Sequence, residues 1–203
     1  MRIYLLILTC FLTLALPHTS WAANADPRVQ TAETWLNALT TAQARFEQRA
    51  PDGSTATGTF YLQRPGRLRF AYDPPSRDFI VADGLFLYFY DGEQKQASSA
   101  LIGSTLADFL LRPSIQLGGD LLVKNIRMRD ADLYMSVTQK SDPGAGELTL
   151  RFDAARTTLK GWDVIDPQGL STRITLTDMK LGTPIPPQLF VMPNDTSKNH
   201  LRR

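Results

Sequence analysis

Reactive side chains are few in this chain, and their positions favour no nucleophilic or thiolate chemistry. The 203 residues include one cysteine, Cys10, and two histidines, His18 and His200. No G-x-S-x-G motif occurs, so neither a Ser-His nor a Cys-His pair is indicated. Asp163 and Asp166 flank a predicted strand end and could form a carboxylate pair, but Asp166 begins the turn DPQG, where aspartate usually caps the backbone. We therefore expect that the protein is not an enzyme and that it has no metal site and no cofactor.

The first 22 residues have the pattern of a secretory signal peptide. One basic residue precedes an apolar run over residues 3–16, and a proline and the exit SWA follow it. The run is shorter than the roughly 20 residues that span a bilayer. We expect cleavage after Ala22, or alternatively after Ala25, which leaves a single domain over residues 23–203. Cys10 would be removed with the leader, and a cysteine-free exported chain suits a bacterial periplasm.

The charge balance argues against partners that are recognised through electrostatics. The chain has 22 Lys and Arg against 20 Asp and Glu, and one of these bases is in the leader, so the exported part carries a net charge of +1. A net charge this small gives no basis for binding nucleic acid or an anionic membrane surface. We expect neither partner.

Two short amphipathic helices are predicted. Asp26 can cap the first, Pro27 suits its first turn, and an apolar stripe at helical spacing follows. The second is predicted to be capped by Ser104-Thr105, to contain LADFLL and to end at Arg112-Pro113. The apolar positions are Val29, Ala32, Trp35, Leu36 and Leu39 in the first helix and Leu106, Phe109 and Leu110 in the second.

Turn signals about every ten residues divide the rest of the chain into short strands. The motifs PDG, RPG, DPP, DG and DPQG contain residues that favour turns through their backbone preferences or side-chain hydrogen bonds. Between them lie runs such as RLRFAY, ELTLRFD and STRITLTD. These runs predict about eleven antiparallel strands in a meander, and hence a mainly β fold built as a large sheet or barrel.

The hairpin around Arg64-Pro65-Gly66 is predicted to have a three-residue turn. That turn sets Leu62 opposite Leu68 and Phe60 opposite Phe70, whereas a two-residue turn would mix apolar and polar side chains on each face. Arg64 then lies at the rim of the apolar face.

The next hairpin is predicted to have a two-residue turn at Asp83-Gly84, which sets Ala82 opposite Leu85 and Val81 opposite Phe86. It includes LFLYFY, residues 85–90, which is apolar on both faces. We predict that Val81 aligns with Leu68, so that the two hairpins share one face. The predicted apolar surface comprises Phe60, Leu62, Leu68, Phe70, Tyr72, Phe79, Val81, Phe86 and Tyr88. The predicted outer face comprises Leu85, Leu87 and Phe89.

An apolar surface of this size must be covered, because large exposed apolar patches are rare in soluble monomers. Two short helices cannot readily close a wide curved sheet. The space that remains is filled either by side chains, as in an ordinary core, or by a ligand. The residues alone leave both interpretations open.

The order of several motifs resembles one family of carriers. Gly58-Thr59-Phe60, the RPG turn, the aromatic strand after it, Val81-Ala82-Asp83-Gly84 and Tyr90-Asp91 follow one another as in the periplasmic lipoprotein carrier family LolA, in the form common in alphaproteobacteria. Weaker similarity covers residues 35–48, 162–169 and 187–190, so the resemblance extends over nearly the whole exported chain.

The resemblance implies an incomplete barrel of about eleven strands with a lid of helices over a hydrophobic cavity. The lid would present Trp35, Leu36, Leu39, Leu106, Phe109 and Leu110. Carriers of this family take acylated lipoproteins from an inner-membrane ABC transporter to the outer membrane, with or without a dedicated receptor there, and we expect a monomer. Arg64 matches the family's arginine that contacts the lid and is needed for cargo handover. Its alternative role is a turn arginine in solvent.

Two related functions stay open at this point. One is a periplasmic carrier for a different acyl lipid, since any long acyl chain suits the same apolar wall. The other is a lipid sensor of envelope stress with a similar fold. Those sensors have a second domain, for which this chain is expected to have no room.

Overall fold

A computed structural model describes residues 26–193 of the chain. The predicted signal peptide, both predicted cleavage positions and His200 lie outside the described residues. Described residues contain no helix that is both long enough and apolar enough to cross a membrane.

Eleven antiparallel strands form one sheet within the described residues, as the turn spacing predicted. The strands are β1 (Thr41–Arg49), β2 (Thr55–Gln63), β3 (Arg67–Tyr72), β4 (Phe79–Asp83), β5 (Phe86–Asp91), β6 (Gln96–Leu101), β7 (Leu121–Arg129), β8 (Asp132–Gln139), β9 (Glu147–Asp153), β10 (Thr158–Ile165) and β11 (Ser171–Leu181). Their order is β6-β5-β4-β3-β2-β1-β11-β10-β9-β8-β7. The strands β6 and β7 are therefore free edges, and the sheet is an unclosed barrel.

The first helix, α1 (Pro27–Ala38), begins as predicted. Asp26 is its N-cap and accepts a hydrogen bond from the Arg28 backbone N–H, and a proline occupies the first turn. Its buried side chains are those of Val29, Ala32 and Leu36. They belong to the main hydrophobic cluster, together with residues of the strands. The helix therefore packs on the concave face of the sheet.

The second helix, α2 (Asp108–Leu111), is a single turn and begins later than predicted. Its N-cap is Ala107, which makes no side-chain cap hydrogen bond, so the predicted capping by Ser104-Thr105 is wrong. Both hydroxyls bind carbonyls within the preceding 3-10 turn instead, Ser104 that of Leu101 and Thr105 that of Ile102. The predicted end is confirmed, with Arg112 as C-cap.

The β2–β3 hairpin has the predicted register. Phe60 pairs with Phe70 and Leu62 with Leu68, so the three-residue turn at 64–66 is confirmed. Gly66 adopts a φ of +83° in this turn, and a Cβ there would lie 2.9 Å from Gly84 Cα. Glycine is required at this position for both reasons.

The predicted register of β4 against β3 is wrong by one residue. Phe70 pairs with Ile80 and Leu68 with Ala82, so Ile80 and Ala82 share the concave face, and Phe79 and Val81 point outward. The connection over residues 73–78 does not fix the parity of β4, and both faces of this strand are apolar. Which face of β4 lies towards the core is therefore decided by what packs against each side of the strand.

The register of β5 also differs from the prediction, by two residues. Val81 pairs with Tyr88 and Ala82 with Leu87, because the strands are joined through Gly84-Leu85 and not through Asp83-Gly84. The Asp83 carboxylate accepts hydrogen bonds from the backbone N–H groups of Leu85 and Phe86 and holds this turn. A shift of two residues preserves parity, so Phe86 and Tyr88 follow Val81 to the outer face.

The outer face of β3 and β4 is covered by the C-terminal segment. Phe79, Val81 and Phe190 are buried there but do not belong to the main hydrophobic cluster. The Arg69 guanidinium lies 4.5 Å from the centre of the Phe79 ring and donates a hydrogen bond to the Leu189 carbonyl at 3.1 Å. This second apolar cluster explains why β4 is apolar on both sides, and Tyr90 of LFLYFY joins it by stacking on Phe79.

The glycine of Gly58-Thr59-Phe60 makes room for an aromatic ring. Gly58 pairs with Phe46, and a Cβ at position 58 would lie 2.5 Å from the Phe46 ring and 2.2 Å from the Ala71 carbonyl oxygen. The Phe46 ring packs edge-on against Phe70 at 5.0 Å and Tyr72 at 5.2 Å. The absence of a side chain at position 58 thus allows an aromatic cluster to form across β1 and β3.

We predict that Gly58→Ala lowers the free energy of unfolding by about 1–3 kcal/mol, because the added methyl group meets backbone that cannot move aside. Urea denaturation measures the change. Gly103→Ala is the matched control: a Cβ there meets no atom within 4 Å. It should change stability by less than about 0.5 kcal/mol. Equal stability of the two variants would contradict this account of Gly58.

Candidate functional site

A cavity of about 880 Å³ lies between the concave face of the sheet and α2. Both halves of the sheet, β1–β6 and β7–β11, contribute to its wall, which is mainly apolar and aromatic. The first half contributes Leu68, Phe70, Ile80, Leu87 and Phe89. The second half contributes Leu148, Leu150, Leu159, Trp162, Val164 and Ile174. The cavity has the size and lining of a site for an apolar ligand.

The predicted residues divide into three groups in the structure. Those on the cavity wall are Leu68, Phe70, Tyr72, Phe79, Leu106, Phe109 and Leu110. Those buried in the core beside it are Phe60, Leu62, Leu36 and Leu39, with Trp35 packed against them. Those on the outer face are Val81, Phe86 and Tyr88. Their predicted place on the cavity surface was wrong, because it depended on the incorrect registers of β4 and β5. Phe79 also points outward from the sheet, although it contributes to the cavity wall.

Sequence reasoning missed the contribution of the second half of the sheet. Trp162 and Ile174 pair across β10 and β11 and both line the cavity. The alternation in ELTLRFD and LKGWDVID indicated one apolar face for each strand. It did not indicate that this face would lie opposite Phe70, since that depends on how far the whole sheet curls.

The two ends of the cavity differ. At one end α2 contributes Phe109 and Leu110, and the segment before it contributes Leu106. The Gly66 N–H donates a hydrogen bond to the Leu111 carbonyl there at 2.8 Å. The opposite end, reached along β3 and β5, is lined by the polar side chains of Gln48, Tyr72, Asp78, Asp91, Gln94 and Gln96. The cavity is therefore apolar at the helical end and polar at the other.

Arg64 joins the ends of both helices. Its Nη1 donates to the carbonyls of Leu36 and Leu39, the latter at 3.2 Å, at the C-terminus of α1. Its Nη2 donates to the carbonyls of Arg112 at 2.8 Å and Pro113 at 3.4 Å, just after α2. The alternative of a turn arginine in solvent is thus wrong.

The hydrogen bonds of Arg64 go to backbone carbonyls and to no carboxylate within the described residues. Its partners are neutral carbonyls at the C-terminal ends of two helices, where the partial charge is negative. Burial lowers the pKa of the Arg64 guanidinium from its ordinary value. The guanidinium remains charged, because arginine titrates far above neutral pH. The contact consists of hydrogen bonds to carbonyl groups. Separating the helices would therefore leave no unpaired carboxylate buried.

Two further contacts hold α1 to the segment that follows α2. The Asn37 side chain donates to the Ile115 carbonyl and accepts from the Ile115 N–H, both at 2.9 Å. The Glu33 carboxylate accepts from the Leu117 N–H at 2.6 Å. These bonds tie α1 to residues 115–117 in addition to the contact that Arg64 makes.

Tyr72 lies at the polar end of the cavity. Its hydroxyl donates to the Gln48 side-chain oxygen at 2.7 Å. Burial, with a further contribution from the charge of Asp78, raises the pKa of Tyr72 to about 12. The phenol is therefore neutral at physiological pH.

Comparison with known proteins places the chain in a family. The family model described as "Outer membrane lipoprotein carrier protein LolA" matches residues 37–193, which is most of the chain. The chain belongs to the LolA family. Two curated relatives carry the name outer-membrane lipoprotein carrier protein. That of Methylococcus capsulatus is 28% identical and the match covers 87% of this chain and 90% of the relative. That of Chromohalobacter salexigens is 29% identical, with 94% and 93% covered.

Solved structures with a similar fold are more distant than these relatives of the LolA family. A LolA superfamily protein from Nitrosomonas europaea is 12% identical with a TM-score of 0.43, and the match covers 81% of this chain and 97% of that one. The protein MucB is 18% identical with a TM-score of 0.49, and the match covers 85% of this chain and 64% of MucB.

We predict that Arg64→Lys accelerates hydrogen exchange of the backbone amides of α2 and Gly66 by about tenfold. A single ammonium cannot reach the carbonyls of both helix ends, and losing charge-assisted hydrogen bonds of this kind costs about 1.5–3 kcal/mol. Exchange measured by mass spectrometry tests this. Arg67→Lys, at an exposed position three residues on, is the control and should leave α2 unchanged. Unaltered exchange in Arg64→Lys would mean that Arg64 does not hold α2.

We predict that Tyr72 makes stability depend on alkaline pH. The folded protein retains the phenol proton up to a pKa of about 12, whereas the unfolded chain loses it near pH 10. The stabilisation from the neutral buried phenol is therefore complete below pH 10 and is lost as the pH rises towards 12. Urea denaturation at pH 8 and pH 11 should show a larger loss of stability for the native chain than for Tyr72→Phe. Tyr61→Phe, on the other face of the sheet, serves as control and should behave like the native chain.

Proposed function

We propose that this protein carries acylated lipoproteins through the periplasm, from an inner-membrane lipoprotein-releasing ABC transporter to the outer membrane. Membership of the LolA family and the names of its curated relatives support a carrier. The observation that carries the proposal for this chain is the apolar cavity of about 880 Å³ whose helical end is held by Arg64. The leader-like N-terminus agrees with work outside the cytoplasm.

The cavity wall would supply the affinity for cargo. Each methylene group that leaves water contributes about 0.8 kcal/mol. Acyl chains lying against Phe70, Trp162 and Leu150 would replace contact with water by contact with side chains on three sides. The recognition is non-directional, so one carrier can serve many lipoproteins that share only their acyl groups.

Arg64 would make the binding reversible. A carrier must release its cargo, so its closed and open forms must have similar free energies. Hydrogen bonds from one guanidinium to neutral carbonyls are strong enough to hold α2 and weak enough to be broken by cargo or a partner. We propose that α2 moves away from the sheet when acyl chains enter, while the buried side chains of Val29, Ala32 and Leu36 keep α1 on the sheet.

Release of lipoproteins from spheroplasts tests the proposed function. The exported chain, incubated with spheroplasts of its own host, should appear in soluble complexes with acylated lipoproteins. Arg64→Leu should change the amount released or retained. Recovery of the chain with another acyl lipid and no lipoprotein would indicate a carrier with different cargo. An empty and inactive chain would contradict a lipid-binding role altogether.

We predict that Ser98→Trp reduces lipoprotein release by at least about threefold, because the indole occupies part of the space that acyl chains need. Ser98 is exposed on the edge strand β6, lines the cavity and pairs with Phe89, so the substitution avoids the packed core. Ser99→Trp is the matched control, since Ser99 pairs with Tyr88 and points outward. Equal release by both variants would show that the cavity at β6 is not where cargo binds.

A further inference from the structure

The polar end of the cavity carries negative charge and no positive charge. Asp78 and Asp91 both line it, and no Lys, Arg or His is present on the cavity wall within the described residues. Arg77 packs beside Gly92 at this end and Lys95 is near it along the chain, but neither belongs to the wall. A ligand whose acyl chains fill the cavity and whose headgroup emerges here meets two carboxylates.

Strand geometry aims both carboxylates inward. Asp91 has the same parity in β5 as Leu87 and Phe89, and it pairs with Gln96, which also lines the cavity. Asp78 immediately precedes the outward-pointing Phe79. Its carboxylate accepts a hydrogen bond from the Gly92 N–H at 2.7 Å, which brings the two acidic residues together across β4 and β5.

The hydrogen bonds of these carboxylates leave their charge in place. Asp91 accepts only from backbone N–H groups, those of Glu93 at 2.9 Å and Gln94 at 2.7 Å, and neither Asp78 nor Asp91 has an ion-pair partner in the described part of the chain. The charge of Asp78 also acts within the cavity, since it contributes to the raised pKa of Tyr72. An anionic group entering this end would meet unneutralised like charge.

We propose that the cavity selects acyl lipids by headgroup charge, accepting uncharged headgroups and disfavouring anionic phospholipids, with Asp78 and Asp91 as the residues that determine this specificity. The proposal rests on the proposed function, because it assumes that acyl chains occupy the cavity. It gives the carrier a means of leaving anionic membrane lipids behind while it takes the uncharged diacylglyceryl group of a lipoprotein.

Displacement of the apolar dye 1-N-phenylnaphthylamine tests the proposal. The competitors are 1-monomyristoylglycerol and myristoyl lysophosphatidylglycerol, both used below their micelle-forming concentrations. They have the same acyl chain and differ by a phosphoglycerol group that carries one negative charge. At low ionic strength the anionic competitor should bind about three- to tenfold more weakly. The difference should shrink in 0.5 M NaCl, because salt screens exposed charges.

Neutralising the carboxylates should remove the selectivity. In the double variant Asp78→Asn, Asp91→Asn the amide oxygens can still accept the backbone hydrogen bonds, and the two competitors should then bind within about twofold of each other. Asp130→Asn is the control: it removes one charge from a distant turn with a φ of +55°, which asparagine tolerates, and it should keep the native selectivity.

The outcomes separate the two proposals. Failure of monomyristoylglycerol to displace the dye would overturn acyl binding and with it the proposed function. Equal binding of both competitors by the native chain would overturn only the charge selection. Selectivity that persists in the double variant would assign it to residues other than Asp78 and Asp91.

Discussion

The central constraint on this structure is that an open, curled sheet has more apolar concave surface than its helices can cover. Eleven strands contribute to the sheet, whereas α1 has 12 residues and α2 has four. Part of that surface is covered by α1, whose side chains join the main cluster. The rest, contributed by both halves of the sheet, faces the cavity. A cavity is thus a consequence of the ratio of sheet to helix, and the free edges β6 and β7 leave the barrel unclosed.

The second constraint concerns the carbonyl groups that every helix leaves unpaired at its C-terminus. Both helices end close to the turn at residues 64–66, and the planar guanidinium of Arg64 has enough donors to serve both ends at once. This contact positions α2 over the cavity, in addition to the packing of Phe109, Leu110 and Leu111 in the main hydrophobic cluster. The same residue therefore pairs with carbonyls at both helix ends and ties α2 to α1 at one end of the cavity.

The apolar stretch LFLYFY has a different environment on each side of the sheet. Leu87 and Phe89 face the cavity, whereas on the outer face Tyr90 stacks on Phe79, which the Arg69 guanidinium also contacts. Covering the outer face with the C-terminal segment leaves the concave face of β4 and β5 free to form cavity wall. A chain that had only one of these two coverings would expose a large apolar area to water.

The sequence by itself determined the number of strands, their antiparallel order, the start of α1 and the register of the β2–β3 hairpin, because each depends on a local turn, a cap or the alternation within one strand. It also identified Arg64 as a residue at a rim. Tertiary structure alone decided which faces of β4 and β5 line the cavity, since residues 73–78 do not fix parity and the strands are apolar on both sides. It likewise decided that the walls formed by Phe70 and Trp162 meet and that Asp78 lies beside Asp91. Such contacts depend on how the whole sheet curls and on what covers its back, and no short stretch of sequence contains that information.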